Sequence, residues 1–325
     1  MLVLSRSDVE GLLDLDRLRE TVAGAMADLS AGRASMPPRI AATVAERDAF
    51  LAAMPAYLPS SRSLATKLVS LFPRNTDRPT HQAVIIVFDP EHGTPVALMD
   101  GEAITAARTA AASALATELL ARTDPYRLVV IGTGVQARAH LRAVARVRKF
   151  GSICVVGRDL EKAKALVQEI GGGEVERGAY TSIEQAVREA DVICACTHSP
   201  DPVVRRDWLR EGVHVNSVGY NTAGREVDGA TFRDALVVVE SRGAALAPPP
   251  AGSSDIAMAI AEGAMTREHI HAELGELVTG SRPGRANPAQ ITLYKSVGVA
   301  VEDAAAAALV LDAARAAEVG RTIAL

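Results

Sequence analysis

The run Leu128-Val-Val-Ile-Gly132-Thr-Gly134-Val135-Gln136-Ala137 joins four apolar residues to a G-x-G-x-x-A turn. That spacing suits the pyrophosphate of a dinucleotide. The first glycine makes a tight turn, and the second lets the backbone approach the phosphates. The small third residue allows close helix–strand packing, with the helix N-terminus aimed at the anion. Alone, such a hexapeptide says little; a strand before it and βαβ alternation after it supply the context it requires. At the end of the next strand stands Gly157-Arg158-Asp159. An NAD site places an acid here to accept from the ribose 2′-hydroxyl. A planar guanidinium pairs instead with a 2′-phosphate, so Arg158 favours NADP(H), while Asp159 leaves NAD(H) open.

Three cations suggest a second site: Arg39 in MPPRI, Lys67 in LATKLVSLFP and Arg108 in DGEAITAARTAAASA. Lysine is scarce, five of the 35 basic residues, the remainder being arginine. A lysine on a half-buried strand needs a charged partner or a function. Arg108 lies in a nearly all-alanine stretch whose preceding two turns offer only Glu102 as a partner. Together the three can make a cationic pocket for a carboxylate; singly, each also reads as a paired surface cation. Sequence spacing does not place them side by side. A lysine among cations and apolar residues should have a lowered pKa, which suits proton transfer near neutrality.

These residues need elements to hold them. Residues 8–32 carry helical spacing that stops at Gly32, and β-like stretches follow up to Met99, clearest at Lys67–Leu71 and Ala83–Phe88. The pair AVIIVFD and GTPVALMDG reads as a hairpin turning near Pro90–Gly93, and 101–121 returns to helical period. After Pro125, strands at 127–131, 152–156, 192–196, 213–218 and 236–239 alternate with helices at 136–148 and 161–170. This is an α/β fold: a parallel, Rossmann-type dinucleotide-binding domain over 124–288. Residues 1–123 and 289–325 would form an α+β substrate-binding and dimerisation domain completed by a C-terminal helix at 297–317, preceded by a β-like 291–294.

Composition narrows the class. The 325 residues are 48% hydrophobic with a formal net charge of −4, which excludes a disordered chain and argues against non-specific nucleic-acid binding. No basic segment precedes a long apolar one at the N-terminus, and no uncharged run reaches the roughly 18–20 residues of a membrane span. Cys154, Cys194 and Cys196 cannot build a disulfide framework, and Cys194-Ala-Cys196 lacks the second ligand pair of a zinc site. A soluble cytoplasmic protein without a bound metal is the expectation.

The segment MPAYLPSSRSLATKLVSLFPRNTDRPTHQAVIIVFDPEHGTPVALMDGEAITAARTAAASALAT resembles the ornithine cyclodeaminase/mu-crystallin family. The likeness continues through IGTGVQARAH, HVNSVG, AELGELVTG and YKSVGVAVED, in the expected order over nearly the whole chain, and is strongest toward the ketimine reductases of its mu-crystallin branch. The resemblance implies a homodimer in which Arg39, Lys67 and Arg108 hold the substrate carboxylate near the cofactor. It places Arg108 and Thr109 on the dinucleotide and Val218-Gly219 and Ser296-Val297 near the nicotinamide. Gly132, Gly134, Val135, Gln136, Gly157, Arg158, Asp159 and Thr197 complete the expected cofactor residues.

Departures weigh against cyclodeamination. The family's cyclodeaminases carry an acid–base Asp where this chain has Asn221, whose amide cannot transfer a proton as a carboxylate does. They also carry a Glu where this chain has Ala52, and Val84 replaces a Thr that often contacts the cofactor. Glu226 and Asp228 read as capping or turn residues, His81 as a strand-edge histidine rather than a general acid, and His140 as outward-facing or packed. The function expected is NAD(P)H-dependent reduction of cyclic or linear α-imino acids to L-amino acids, with Lys67 or a bound water as proton donor. NAD-dependent cyclodeamination or alanine-type dehydrogenation, and an NADPH-loaded binding protein without turnover, are the alternatives.

Overall fold

Two kinds of apolar pattern build two kinds of sheet. Alternating residues build an antiparallel one; continuous runs such as LVVI, ICVV and VICA build a parallel one covered on both faces. In the computed structural model, residues 1–170, 175–221 and 224–324 are described. They divide into two units, Met1–Arg108 with Gly298–Leu325, and Thr109–Val297.

The first unit contains β1 (Leu2–Leu4), β2 (Ile40–Val44), β3 (Ala49–Leu58), β4 (Ser63–Leu71), β5 (His81–Phe88) and β6 (Pro95–Asp100). With the short strand Arg321–Thr322 they line up as that strand, β1, β6, β5, β4, β3, β2. Strands β2 to β6 run antiparallel in sequence order, and β1 joins β6 in parallel. Ala52, Met54, Ala56 and Leu58 of β3, Ala65 and Val69 of β4, and Ala83, Ile85 and Val87 of β5 are buried on one face. Over β3, β4 and β5 lies the C-terminal helix Ala300–Ala317. That helix is apolar nearly all round, which is the pattern of a buried helix.

The helical region expected at 8–32 is two helices, α1 (Arg6–Leu12) and α2 (Leu15–Ser30). Asp14 breaks it, its carboxylate capping α2 through the Asp16 and Arg17 N–H groups. The helix α3 (Gly101–Leu120) begins in this unit, and its residues from Thr109 onward belong to the second.

On the other face of the sheet, the cross-strand rows Ala53–Leu68–Val84 and Tyr57–Leu64–Phe88 are apolar. Val84 is 41% exposed and Leu51 49%. An antiparallel sheet with one face in water turns polar residues outward; here Thr66, Ser70 and Gln82 do so, and the rows between them are apolar.

The second unit holds eight parallel strands, β7 (Arg127–Ile131), β8 (Ser152–Val156), β9 (Glu176–Tyr180), β10 (Val192–Ala195), β11 (His214–Ser217), β12 (Leu236–Val239), β13 (Ile270–Glu273) and β14 (Thr292–Lys295). Their order is β13, β12, β14, β11, β10, β7, β8, β9. Strand order reverses between β7 and β10, which marks the binding crevice of a doubly wound sheet at the carboxyl ends of those strands. The fold is α/β with a Rossmann-type sheet. Helices α4 (Val135–Val144) and α5 (Leu160–Gln168) follow β7 and β8.

Two boundaries fall elsewhere than expected. The expected break at 288/289 would detach β14, yet β14 pairs in parallel with both β11 and β12 and is wholly buried. Only the four residues 296–299 separate this interior strand from the next helix, and the chain leaves this unit at Val297. The N-terminal boundary likewise falls within α3 rather than at 123/124, because Ala110, Ala114 and Ala121 pack into the core of the parallel sheet. Among the described residues no helix is long and apolar enough to cross a membrane.

Candidate active site

Lys67 sits mid-strand on β4, opposite Met54 and Ile85, on the face the C-terminal helix covers. A charge there must be paired. Its Nζ lies 2.8 Å from Asp303 Oδ2 and 3.4 Å from Thr105 Oγ1. Burial pushes the ammonium pKa down to about 8; Asp303 opposes that shift, while Arg108 and Arg39 add to it. Burial alone would raise the Asp303 carboxyl, but Arg108 and Lys67 outweigh it and hold the carboxyl below its ordinary range.

Arg108 is also buried, and its partners are not in its own helix. Its Nε donates to Asp303 Oδ1 at 3.0 Å and its Nη1 to Glu302 Oε2 at 2.5 Å. Glu102, the partner that helix periodicity offers, instead meets Arg6 at 3.4 Å. Arg39 precedes β2 and donates from Nη2 to the Gly298 carbonyl at 2.7 Å. Arg39, Lys67 and Arg108 are thus gathered around the start of one helix. Lys67 and Arg108 meet the carboxylates of Glu302 and Asp303, and Arg39 meets a backbone carbonyl at the same helix start.

His81 heads β5 on the same face as Lys67, since residues 81, 83 and 85 alternate and Ile85 opposes Lys67. Burial, with Lys67 and Arg108, holds its imidazole pKa below the ordinary value.

In the second unit, Gly132 closes the turn after β7 with φ +122°. A β-carbon there would come within 2.6 Å of the Cys196 carbonyl oxygen, so both conformation and space call for glycine. Gly134 begins α4 with no side chain bonding the first N–H groups, and nothing lies within 4 Å of where its β-carbon would be. Ala137 is fully buried, and Val135 is 54% exposed beside Gln136. An uncapped helix N-terminus at a glycine turn fits a pyrophosphate. Gly157 follows β8; a β-carbon there would meet Thr133 Cγ2 at 2.6 Å. Arg158 is exposed, whereas Asp159 is occupied: Oδ1 caps α5 through the Glu161 and Lys162 N–H groups, both at 3.1 Å.

The expected nicotinamide residues follow β10, β11 and β14. Thr197 donates its N–H to Glu226 Oε1 at 2.6 Å and its hydroxyl to the same oxygen at 2.8 Å. Gly219 N–H donates to Glu226 Oε2 at 2.7 Å, and Val218 N–H to the Ala195 carbonyl at 3.0 Å. Ser296 Oγ and Val297 N–H both donate to buried Glu240. Thr109 is buried on α3.

With that geometry in place, the comparisons with known proteins decide the family. The sequence profile of the ornithine cyclodeaminase/mu-crystallin family matches residues 1–318. The chain belongs to this family. It is 37% identical to ketimine reductase mu-crystallin of Mus musculus over 284 residues, covering 86% of each chain. Its structure is similar to Thermococcus litoralis Δ1-pyrroline-2-carboxylate reductase solved with NADH and L-proline, with TM-score 0.94, 41% identity and coverage of 99% and 100%. It is also similar to an archaeal alanine dehydrogenase dimer with bound NAD, with TM-score 0.91, 31% identity and coverage of 100% and 99%.

Within this family member, Asn221 donates from its amide to the His198 carbonyl at 3.0 Å, and its own carbonyl accepts from Ser254 Oγ. His140 is not outward-facing: it is fully buried, Nε2 lying 2.9 Å from Ser113 Oγ. Asp228 does cap a helix, Gly229–Asp234, but Glu226 caps nothing and is a buried acceptor. Sequence reasoning assigned Glu226 only a capping or turn role and missed Glu240, Asp255, Lys295, Glu302 and Asp303. Two signals were present: Lys295 is one of five lysines and stands in apolar TLYK, and Glu302-Asp303 are the only charges in the first three turns of an alanine helix.

Proposed function

We propose that this protein is an NAD(P)H-dependent reductase of α-imino acids, converting Δ1-pyrroline-2-carboxylate, Δ1-piperideine-2-carboxylate or linear ketimines to L-amino acids. The observation that carries the reading is the cluster of Lys67 and Arg108, both buried and braced by Glu302 and Asp303, with half-buried Arg39 held on the Gly298 carbonyl beside them. Cations held in fixed geometry by such partners suit a substrate carboxylate and orient the carbon beside it. Relatives that act on pyrroline carboxylate and ketimines support the same substrate class.

When bound, NAD(P)H supplies the hydride that the imine carbon accepts. Gly132, Gly134, Val135, Gln136 and the open start of α4 would receive its pyrophosphate, and Gly157-Arg158 the adenosine ribose. With Asp159 committed to capping α5, Arg158 is the side chain left to read a 2′-phosphate, which supports NADP(H). Thr197, Val218, Gly219, Ser296 and Val297 would border the nicotinamide, and Arg108-Thr109 would touch the dinucleotide. Lys67, with a pKa of about 8, carries a proton near neutrality that it can pass to the imine nitrogen as hydride arrives at carbon. Asp303 then holds the lysine for reprotonation from water. The apolar outer face of the antiparallel sheet suits a homodimer, and three free cysteines suit a cytoplasmic enzyme.

The deciding assay follows NADPH absorbance with purified protein and Δ1-piperideine-2-carboxylate. NADH, pyruvate plus methylamine, and ornithine plus NAD⁺ run in parallel. Rapid NADPH loss with the imine is expected. Ammonia and proline from ornithine would overturn the reading in favour of cyclodeamination despite Asn221, and tight NADPH binding with no turnover would make the protein a binding protein.

A further inference from the structure

One buried carboxylate joins the loops that leave two neighbouring strands. Glu226 is 2% exposed. Its Oε1 takes both Thr197 donors just after β10, and its Oε2 takes the Ser217 hydroxyl at 2.9 Å and the Gly219 N–H just after β11. Its own N–H donates to Asp255 Oδ1 at 2.9 Å. Asp255 pairs with Lys295 at 3.1 Å, and Lys295 Nζ donates to Ser217 Oγ and to the Gly219 carbonyl at 3.0 Å. Both backbone polar groups of Gly219 are therefore held from inside the protein.

We infer that Glu226 is a positioning residue for the nicotinamide half of the cofactor. This rests on the dinucleotide-binding reading above. The parallel ladder between β10 and β11 ends at Ala195–Ser217, and beyond it the chain would be free to splay where a doubly wound sheet opens its crevice. Glu226 spans that gap. Because its oxygens consume the Thr197 and Gly219 donors, these residues offer a nicotinamide a fixed contour rather than hydrogen bonds from those groups.

The carboxylate is specifically required. Four donors converge on two acceptor oxygens; an amide has one acceptor oxygen, and its NH2 would face donors on the other side. A buried donor that loses its acceptor bears the full desolvation cost. Gly219 supplies a second handle, since a β-carbon there would overlap the Glu226 carboxylate and the Thr197 carbonyl that it positions, while leaving the carboxylate's charge in place.

The test measures dissociation constants of NADPH, NADH, 2′,5′-ADP and ADP for the full-length wild type, Glu226→Gln and Gly219→Ala, with circular dichroism melts alongside. The ADP nucleotides lack nicotinamide and probe the adenosine end alone. Each variant is expected to weaken the reduced dinucleotide about tenfold or more and to leave the ADP nucleotide within about twofold. Equal loss of both would assign Glu226 to general folding, and unchanged dinucleotide affinity would remove its role; either overturns the inference. A wild type that binds none of the four would instead overturn the dinucleotide-binding reading, and this inference with it.

Discussion

Lys67 on β4 and Asp303 on the C-terminal helix form a 2.8 Å ion pair, with side chains 3% and 2% exposed. Asp303 also holds Arg108, so one carboxylate sets the position of two cations and the charge state of one. Raising pH through about 8 strips the Lys67 proton. For the imine reaction, kcat/KM should therefore fall as pH rises past that point. Removing the Asp303 charge removes the influence that raises the lysine pKa, so Asp303→Asn should shift this limb to lower pH. Lys67→Met should lose most turnover at every pH while binding NADPH within a few-fold of wild type. Near-normal turnover in Lys67→Met would rule out the lysine as proton donor.

Arg158 and Asp159 are adjacent but differently employed, one exposed and one capping α5. A charge-assisted pair contributes about 1.5–3 kcal/mol, or roughly ten- to a hundredfold in affinity. Arg158→Ala should raise KM for NADPH by that range and leave KM for NADH within about twofold. Equal effects on both cofactors would show that Arg158 does not read a 2′-phosphate.

The outer face of the antiparallel sheet predicts an assembly. Sedimentation or light scattering of the wild type should give the mass of a dimer at micromolar concentration. A charge buried in an apolar contact is costly, so Val84→Asp and Leu51→Asp, both on exposed positions of that face, should shift it to monomer with an unchanged far-UV spectrum. A dimer that persists in both variants would place the interface elsewhere.

Two histidines make acid stability predictable without reference to catalysis. Burial depresses His140 to about 4 and His214 to about 3. Both are lowered relative to the unfolded chain, so between the folded values and about 6.5 the unfolded state binds more protons. Stability should thus decline as pH falls from 6.5, by about 1.4 kcal/mol per pH unit for each histidine. In urea melts from pH 6.5 to 4.5, His140→Gln should show a shallower slope even if its absolute stability is lower. An unchanged slope would mean that His140 titrates alike in both states.

Much of the parallel sheet was legible from the chain because buried strands announce themselves within a few residues. Strands at 127–131, 152–156 and 236–239 have those bounds in the structure. The polar strand Glu176–Tyr180 did not, since an edge strand needs no apolar run. The glycine turn and the three cations were likewise local in type and spacing.

The sequence by itself determined the kinds of elements, the G-x-G-x-x-A turn, the scarcity of lysine that singled out Lys67, and the family likeness. The elements and the turn depend on short local patterns, which chain geometry converts directly into a strand face, a turn or a helix face; the lysine count and the family likeness are read along the chain. Only the tertiary structure decided that Arg108 and Lys67 answer to Glu302 and Asp303, that β14 lies between β11 and β12, and that Glu226 holds the ends of β10 and β11. Most of those relationships join residues tens to hundreds of positions apart, though Gly219 and Glu226 are seven apart. A buried charge must find its counter-charge wherever the fold brings one, and no local pattern in the chain records where that will be.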